Sequence, residues 1–377
     1  MVKPGMAPRC RLAKPRAVAN STVDLEWRTT AQGGLMHKFV AAAVLGLAEC
    51  ALFGTRCLGQ DAPKVVVTDP VYTKAQRLVD VDHGRRMNIY CRGTGSPTVV
   101  FDAGLGDSSS SWGLVQPTIA ARTRACSYDR AGLGFSDPAS RASTARNIAE
   151  DLHALLAAAN IKPPYLLVGH SSSAMSIRVY ADRYFDEVVG MVLVDPSHED
   201  QWVRSWAIGA PGQKEQMDAS LTEQAQCVDA AKKGFVKDTP VYKQCLDYVD
   251  PHVSQAINEA QRPIWATPGW QAAFFSERES TPYVSAEQTR ATRKKFGDMP
   301  IIVLTHAPEK AQNETQEQGD QRTLLREDLH SQIAAMSTRG VNVIVPNAGH
   351  YIQFDRPQIV IDAVNGAIAI SREGLTK

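Results

Sequence analysis

Four short runs in this chain are almost wholly apolar: "TVVFDAG" (residues 98–104), "YLLVGH" (165–170), "VVGMVLVD" (188–195) and "IIVLTH" (301–306). A strand with one wet face alternates apolar and polar positions, so uninterrupted runs of this length belong to strands covered on both faces. Between them the spacing changes. In "ASTARNIAEDLHALLAAAN", from Ala142, the residues Ile148, Leu152, Leu155 and Leu156 recur at helical intervals. Buried strands alternating with helices predict an α/β chain with a mainly parallel sheet sandwiched between helices.

The remaining elements follow from the same two periods. "RRMNIYCRG" (85–93) reads as a strand that could pair as a hairpin with residues 98–104 across a Gly/Ser/Pro turn. "ACSYDRAG" (125–132) gives a shorter strand, a helix is expected over about 173–184, "VNVIVPNAGH" (341–350) is the last strand, and "RPQIVIDAVNGAIAI" the closing helix. Between Asp195 and Ile301 the texture is different, rich in Gln, Lys, Asp and Trp. There Pro211, Pro240, Pro251, Pro263, Pro268 and Pro282 break up short helical patterns. This stretch reads as a helical cap inserted between two strands.

With 41 Lys and Arg against 40 Asp and Glu in 377 residues, no overall field favours a polyanion, and nucleic-acid binding is set aside. The first 60 residues stand apart. "MHKFVAAAVLGLAECALFG" from Met36 places His37 and Lys38 before a small-apolar run, with a small-residue exit near Cys57, Leu58 and Gly59. That order is the one a secretory signal needs, and it predicts a secreted or periplasmic protein if translation begins at Met36. The alternative, an N-terminal anchor, meets Glu49 inside a run at or below the roughly 18 apolar residues needed to span a bilayer; no stable anchor is expected after signal removal. Cys10, Cys50 and Cys57 would leave with the signal. Cys91, Cys126, Cys227 and Cys245 remain, an even set readable as disulfides in an oxidising compartment or as four buried thiols. A Cys227–Cys245 bridge would tie two cap helices together. No C-x-x-C pair and no His/Cys cluster at metal spacing occurs, which argues against zinc.

One strand ends in a chemically suggestive way: "YLLVGHSSSAM" runs from an apolar strand into Gly169-His170-Ser171, a tight turn of the kind that exposes a serine hydroxyl for attack. Together with "VVFDAGLGDSSSSW", "YDRAGLGFSDP", "VVGMVLVDPSHED" and "NAGHYIQFDRP", and in the same order along the chain, this block resembles an α/β-hydrolase of the serine esterase/lipase type over roughly residues 80 to 370. The resemblance implies a mostly parallel eight-stranded sheet flanked by helices. The core would occupy 61–196 and 299–377, and the cap 197–298, between strands 6 and 7. It also implies Ser171 as nucleophile, His350 as general base, Leu105 and Ser172 as the backbone amides of the oxyanion hole, and no metal or organic cofactor.

The acid is taken as Asp195, at the end of "VVGMVLVD", with Glu309 after "IIVLTH" as the alternative. His170 is expected to be structural, whereas His198 and His306 are candidates to face the pocket. Ser172 and Ser173 are expected to cap backbone amides. The sequence departs from the common pattern in two places. Ser173 and Ala174 stand where a glycine pair is usual, and Ala103 replaces the histidine that usually braces the oxyanion loop. "YDRAGLGFSD" is read as pocket-wall support. The topology implied by the resemblance sets the second strand antiparallel beside the fourth and predicts a Cys91–Cys126 disulfide.

The expected activity is cleavage of a small-molecule ester through an acyl-enzyme. Two alternatives stand beside it. One is a proline-releasing aminopeptidase, which would bind a free amine through cap acids such as Glu215, Asp218, Glu223 and Asp229. The other is a non-catalytic ligand-binding protein on the same fold. Dehalogenase and epoxide hydrolase chemistry would need a carboxylate where Ser171 stands.

Overall fold

The computed structural model describes residues 65–208, 212–308 and 315–375. The expected signal segment, the first three cysteines and the alternative acid Glu309 lie outside them. Eight strands form one sheet: β1 (Leu78–Asp82), β2 (Arg85–Arg92), β3 (Thr98–Asp102), β4 (Ala125–Tyr128), β5 (Tyr165–His170), β6 (Val188–Val194), β7 (Ile301–His306) and β8 (Gly340–Val345). Their order across the sheet is β1-β2-β4-β3-β5-β6-β7-β8. Only β1–β2 and β2–β4 pair antiparallel; every pairing from β4 to β8 is parallel.

The apolar runs are explained by burial on both faces. In β5, Tyr165 and Leu167 pack on one side of the sheet while Leu166 and Val168 pack on the other, and β3, β6 and β7 alternate in the same way. One layer comprises α2 (Ala145–Ala158) and α3 (Ser173–Arg183); the other comprises α1 (Gln116–Ala120) and the closing helix. Each buried side chain of this size contributes roughly 2 kcal/mol, which is why these positions admit no polar residue.

Among the described residues six α-helices and a π-helical turn (Thr281–Ser285) stand between β6 and β7: α4 (Gln201–Ile208), α5 (Gln213–Lys233), α6 (Pro240–Leu246), α7 (Gln255–Trp265), α8 (Pro268–Ser280) and α9 (Ala286–Arg290). Pro240 and Pro268 open their helices, where a missing N–H costs nothing. Pro263, expected as a break, instead lies inside α7 near its end. After β7 come α10 (Gln316–Ala334), α11 (Ile352–Asp355) and α12 (Pro357–Leu375). A Cys227–Cys245 disulfide links α5 to α6.

The hairpin expected between 85–93 and 98–104 does not form. β3 is buried on both faces along its whole length, so it takes a parallel partner on each edge, and β4 enters between β3 and β2. This sets Cys91 directly opposite Cys126, and the two are joined. The actual hairpin is β1–β2, turned by His83 and Gly84, both at positive φ. Its first strand, "LVDVD", buries Val79 and exposes Leu78, Asp80 and Asp82, so it has one wet face and offers no uninterrupted apolar run.

Candidate active site

The carboxyl ends of four neighbouring strands converge. Ser171 follows β5, Asp195 follows β6, His306 closes β7 and His350 follows β8. Open parallel sheets place their sites at this edge, where loops leave the strands in register.

Ser171 holds φ at 56°, a left-handed conformation that costs a non-glycine residue about 1–2 kcal/mol. Its surroundings enforce it. The Ser171 amide donates to the Val194 carbonyl at 3.0 Å, and the Ser197 amide donates to the Ser171 carbonyl at 2.9 Å. Gly169 is required by close approach: a Cβ there would lie 2.4 Å from Ile177 Cδ1 and 2.7 Å from Ser173 Oγ. Ser173 replaces the usual glycine because its hydroxyl finds acceptors beneath the turn, donating toward the carbonyls of His170 (2.8 Å) and Asp102 (3.1 Å). The expected capping of amides by Ser172 and Ser173 is therefore not what these residues do. Ser172 sits at the start of α3 in helical rather than extended backbone, and its side chain makes no cap bond.

Ser171 Oγ lies 2.9 Å from His350 Nε2, and His350 Nδ1 lies 2.5 Å from Asp195 Oδ2. Asp195 accepts a second imidazole on the same oxygen, His306 Nδ1 at 2.7 Å, and the His306 amide on Oδ1 at 3.1 Å. Burial alone would push the Asp195 carboxyl up; the hydrogen bonds from His306 and His350 outweigh it and hold the group well below the usual carboxylate range. A charged Asp195 requires a proton on His350 Nδ1. That leaves Nε2 to accept from the Ser171 hydroxyl. The Asp195 side chain is 3% exposed and that of His350 45%, so the acid is shut away while the imidazole can reach a substrate.

His170 is structural, as expected. Burial, aided by the charge of His350, pushes its imidazole down to about 3, so it is neutral and donates from Nε2 to the His350 carbonyl at 3.0 Å. His330 is similarly driven down to about 4 by burial and donates to the carbonyl of Pro196 at 2.8 Å. It fixes the backbone just after Asp195. Among the described residues, one group of three acidic, His or Cys side chains has ligand atoms as close as a metal would need: Asp195, His306 and His350. Their contacts are hydrogen bonds in which both imidazoles point Nδ1 at one oxygen, an arrangement that orients rings.

The loop of Gly104, Leu105 and Gly106, expected to supply an oxyanion amide, is held by charge. In place of the missing histidine, Arg130 donates from Nη1 to Asp102 Oδ1 (2.8 Å) and the Ala103 carbonyl (2.5 Å), and from Nη2 to the Gly104 carbonyl. Glu277, reaching from α8, accepts Arg130 Nε at 2.7 Å and the Gly106 amide at 3.0 Å. All three ionic side chains are at most 5% exposed. Burial would favour a neutral guanidinium; Glu277 and Asp102 reverse that and keep Arg130 charged. Reading "YDRAGLGFSD" as wall support missed this role. The available signal was an arginine two residues beyond a wholly buried strand, where a charge requires a partner.

Ser171 opens on a cavity of about 300 Å³ that Leu105, Ser172, His198, Trp202, His306 and His350 help to line. Both residues expected to supply oxyanion amides thus line the same cavity as the serine. Both histidines named as pocket candidates, His198 and His306, border it too, and His306 also binds the acid.

Residues 99–363 match the alpha/beta hydrolase family. Among curated relatives, the uncharacterized protein YqjL of Bacillus subtilis (strain 168) is 28% identical over 71% of this chain and 82% of its own length. An AB hydrolase superfamily protein of Gibberella zeae is 31% identical over 27% of this chain and 33% of its own. Among solved structures, the haloalkane dehalogenase DbeA from Bradyrhizobium elkani USDA94 superposes with a TM-score of 0.60 at 17% identity, covering 79% of this chain and 98% of DbeA. At that identity the likeness is one of fold alone. The family match spans most of the chain and accounts for the sheet order: the protein belongs to the alpha/beta hydrolase family.

Proposed function

We propose that this protein is a serine hydrolase that cleaves a carboxylic ester through an acyl-enzyme. The observation carrying this reading is the relay Ser171 Oγ to His350 Nε2 at 2.9 Å, continued from His350 Nδ1 to Asp195. Ser171 attacks the ester carbonyl while His350 takes its proton at Nε2, and Asp195 stabilises the imidazolium. The tetrahedral oxyanion faces the amides of Leu105 and Ser172. Collapse expels the alcohol, which receives the proton from His350. Water, deprotonated by the same imidazole, then attacks the acyl-serine and restores the hydroxyl.

Displacement at an alkyl halide or epoxide needs a carboxylate at the turn that Ser171 occupies. The aminopeptidase alternative has less support: Glu215, Asp218, Glu223 and Asp229 are all exposed on α5 and line no cavity with Ser171. The two disulfides support an oxidising compartment, secreted or periplasmic. Stopped-flow hydrolysis of p-nitrophenyl acetate tests the activity. A burst of nitrophenolate stoichiometric with protein, absent in Ser171→Ala, is expected; turnover unaffected by Ser171→Ala would refute the reading.

A further inference from the structure

A second cavity, of about 380 Å³, borders the same loop at Leu105, Gly106 and Asp107. Leu105 lines both cavities; His350 borders the first and its neighbour Tyr351 the second. Leu105 is thus the residue the two cavities share. One wall of the second cavity is a run of rings from Tyr248, before α7, through Trp265 at the end of α7 to Trp270 and Phe274 on α8. Tyr248 and Trp265 centroids are 5.9 Å apart, Trp265 and Trp270 6.3 Å, and Trp270 stacks on Phe274 at 5.0 Å. Phe274 packs against the loop itself, since a Cβ on Gly106 would come within 2.6 Å of its ring.

Two carboxylates, Asp107 and Asp250, line the same cavity. Asp107 Oδ2 is buried with no hydrogen-bond partner, and the nearest basic nitrogen paired with it, His170 Nδ1, is 3.9 Å away on a neutral ring. Burial first, and then the charge of Asp250, pushes Asp107 up to about 7, so its carboxylate lacks compensation. Asp250 has His252 at 2.9 Å. The cation on this wall, Arg278, lies 5.6 Å from the Phe274 centroid and donates to Ser220 on α5. It shows that these rings already face a cation, while its own hydrogen bond turns toward α5.

Ring faces and carboxylates together select positive charge over a neutral group of equal shape. We propose that this cavity binds an ammonium or quaternary ammonium group of the substrate, so that the ester cleaved at Ser171 is a cationic one. This rests on the ester reading above.

Choline butyrate and 3,3-dimethylbutyl butyrate have nearly the same shape and differ by one charge. The cationic ester should show a kcat/KM about tenfold higher. That ratio should fall toward unity in Asp107→Asn and in Trp270→Leu, and rise in Arg278→Gln, which removes a like charge. Equal rates, or a ratio unmoved by both Asp107→Asn and Trp270→Leu in variants with native circular dichroism, would overturn the proposal. If neither ester turns over, phenyltrimethylammonium is titrated into full-length Ser171→Ala protein. Saturable binding that Trp270→Leu abolishes sustains the proposal, and no saturable binding overturns it. Failure of the ester reading is scored separately, by whether a neutral fluorophosphonate labels Ser171.

Discussion

The two sides of Ser171 are built from different materials. On the base side, Asp195, His306 and His350 all sit at the ends of core strands and are held by hydrogen bonds to a single buried carboxylate. On the oxyanion side, the loop of Gly104, Leu105 and Gly106 is held by a buried ionic cluster. One member, Glu277, comes from the helical insertion, 147 positions from Arg130. The base side thus belongs to the core alone, whereas the oxyanion side is completed only when the insertion packs. A change in the insertion can therefore alter transition-state stabilisation without touching the proton relay.

The comparison breaks most visibly at the acid. Asp195→Asn should lower kcat by about 10⁴, because the amide no longer fixes the His350 proton on Nδ1, while urea unfolding changes little by comparison. Glu277→Gln should act on the other side. It leaves Arg130 under-compensated in the interior, destabilising the fold by about 3–5 kcal/mol, and it should lower kcat by about 10²-fold as the loop loosens. Urea denaturation and steady-state kinetics on the same preparation check both effects. A Glu277→Gln protein with wild-type kcat would show that the loop does not depend on the insertion.

Acid should separate the sides by sign. His170, held near 3, and His330, held near 4, are depressed chiefly by burial and stand on the base side; His198, also held near 4 by burial, lies at the start of the insertion. Their unfolded values lie near 6.5, so the unfolded chain binds more protons and stability is lost as pH falls from about 6.5 toward 4. Asp107, raised to about 7, borders the oxyanion side and works in the opposite direction: folded protein holds its proton where the unfolded chain has lost it. Asp102, in the cluster on the same side, is raised by burial as well, so three histidines oppose two carboxylates. A net loss on the order of 3 kcal/mol is expected between pH 7 and 4.5, read by urea midpoints, and it should steepen in Asp107→Asn. A flat profile would contradict the neutral burial of these histidines.

The smallest effect is expected at His306. His306→Asn removes one charge-assisted hydrogen bond from Asp195 and should cost about tenfold in kcat with little change in KM. A loss as large as that of Asp195→Asn would make His306 an equal member of the relay.

The same division explains what the sequence made legible. Strands β3, β5, β6 and β7 declared themselves because burial on both faces leaves their middles wholly apolar, Ser171 and Asp195 stood directly at the ends of two of them, and His350 stood in a short motif beyond β8. β1, acidic on its exposed face, carried no such signal. The hairpin expectation failed because local turn chemistry cannot report that β4 enters between β2 and β3. Nor could spacing reveal that Arg130 and Glu277 meet, or that His306 shares the carboxylate of Asp195, since both contacts exist only once the strands and insertion are packed. Ser173 looked like a helix cap by residue type. Its actual role is to donate toward the carbonyls of His170 and Asp102, the second of which comes from a different strand.

The central claim is that Ser171 is an activated nucleophile. Labelling the folded protein with a fluorophosphonate and mapping the adduct by peptide mass tests it most directly. The expected result is one adduct on Ser171, absent in Ser171→Ala and strongly slowed in His350→Ala. Folded protein that takes up no label, or that takes it up equally in Ser171→Ala, would contradict the account.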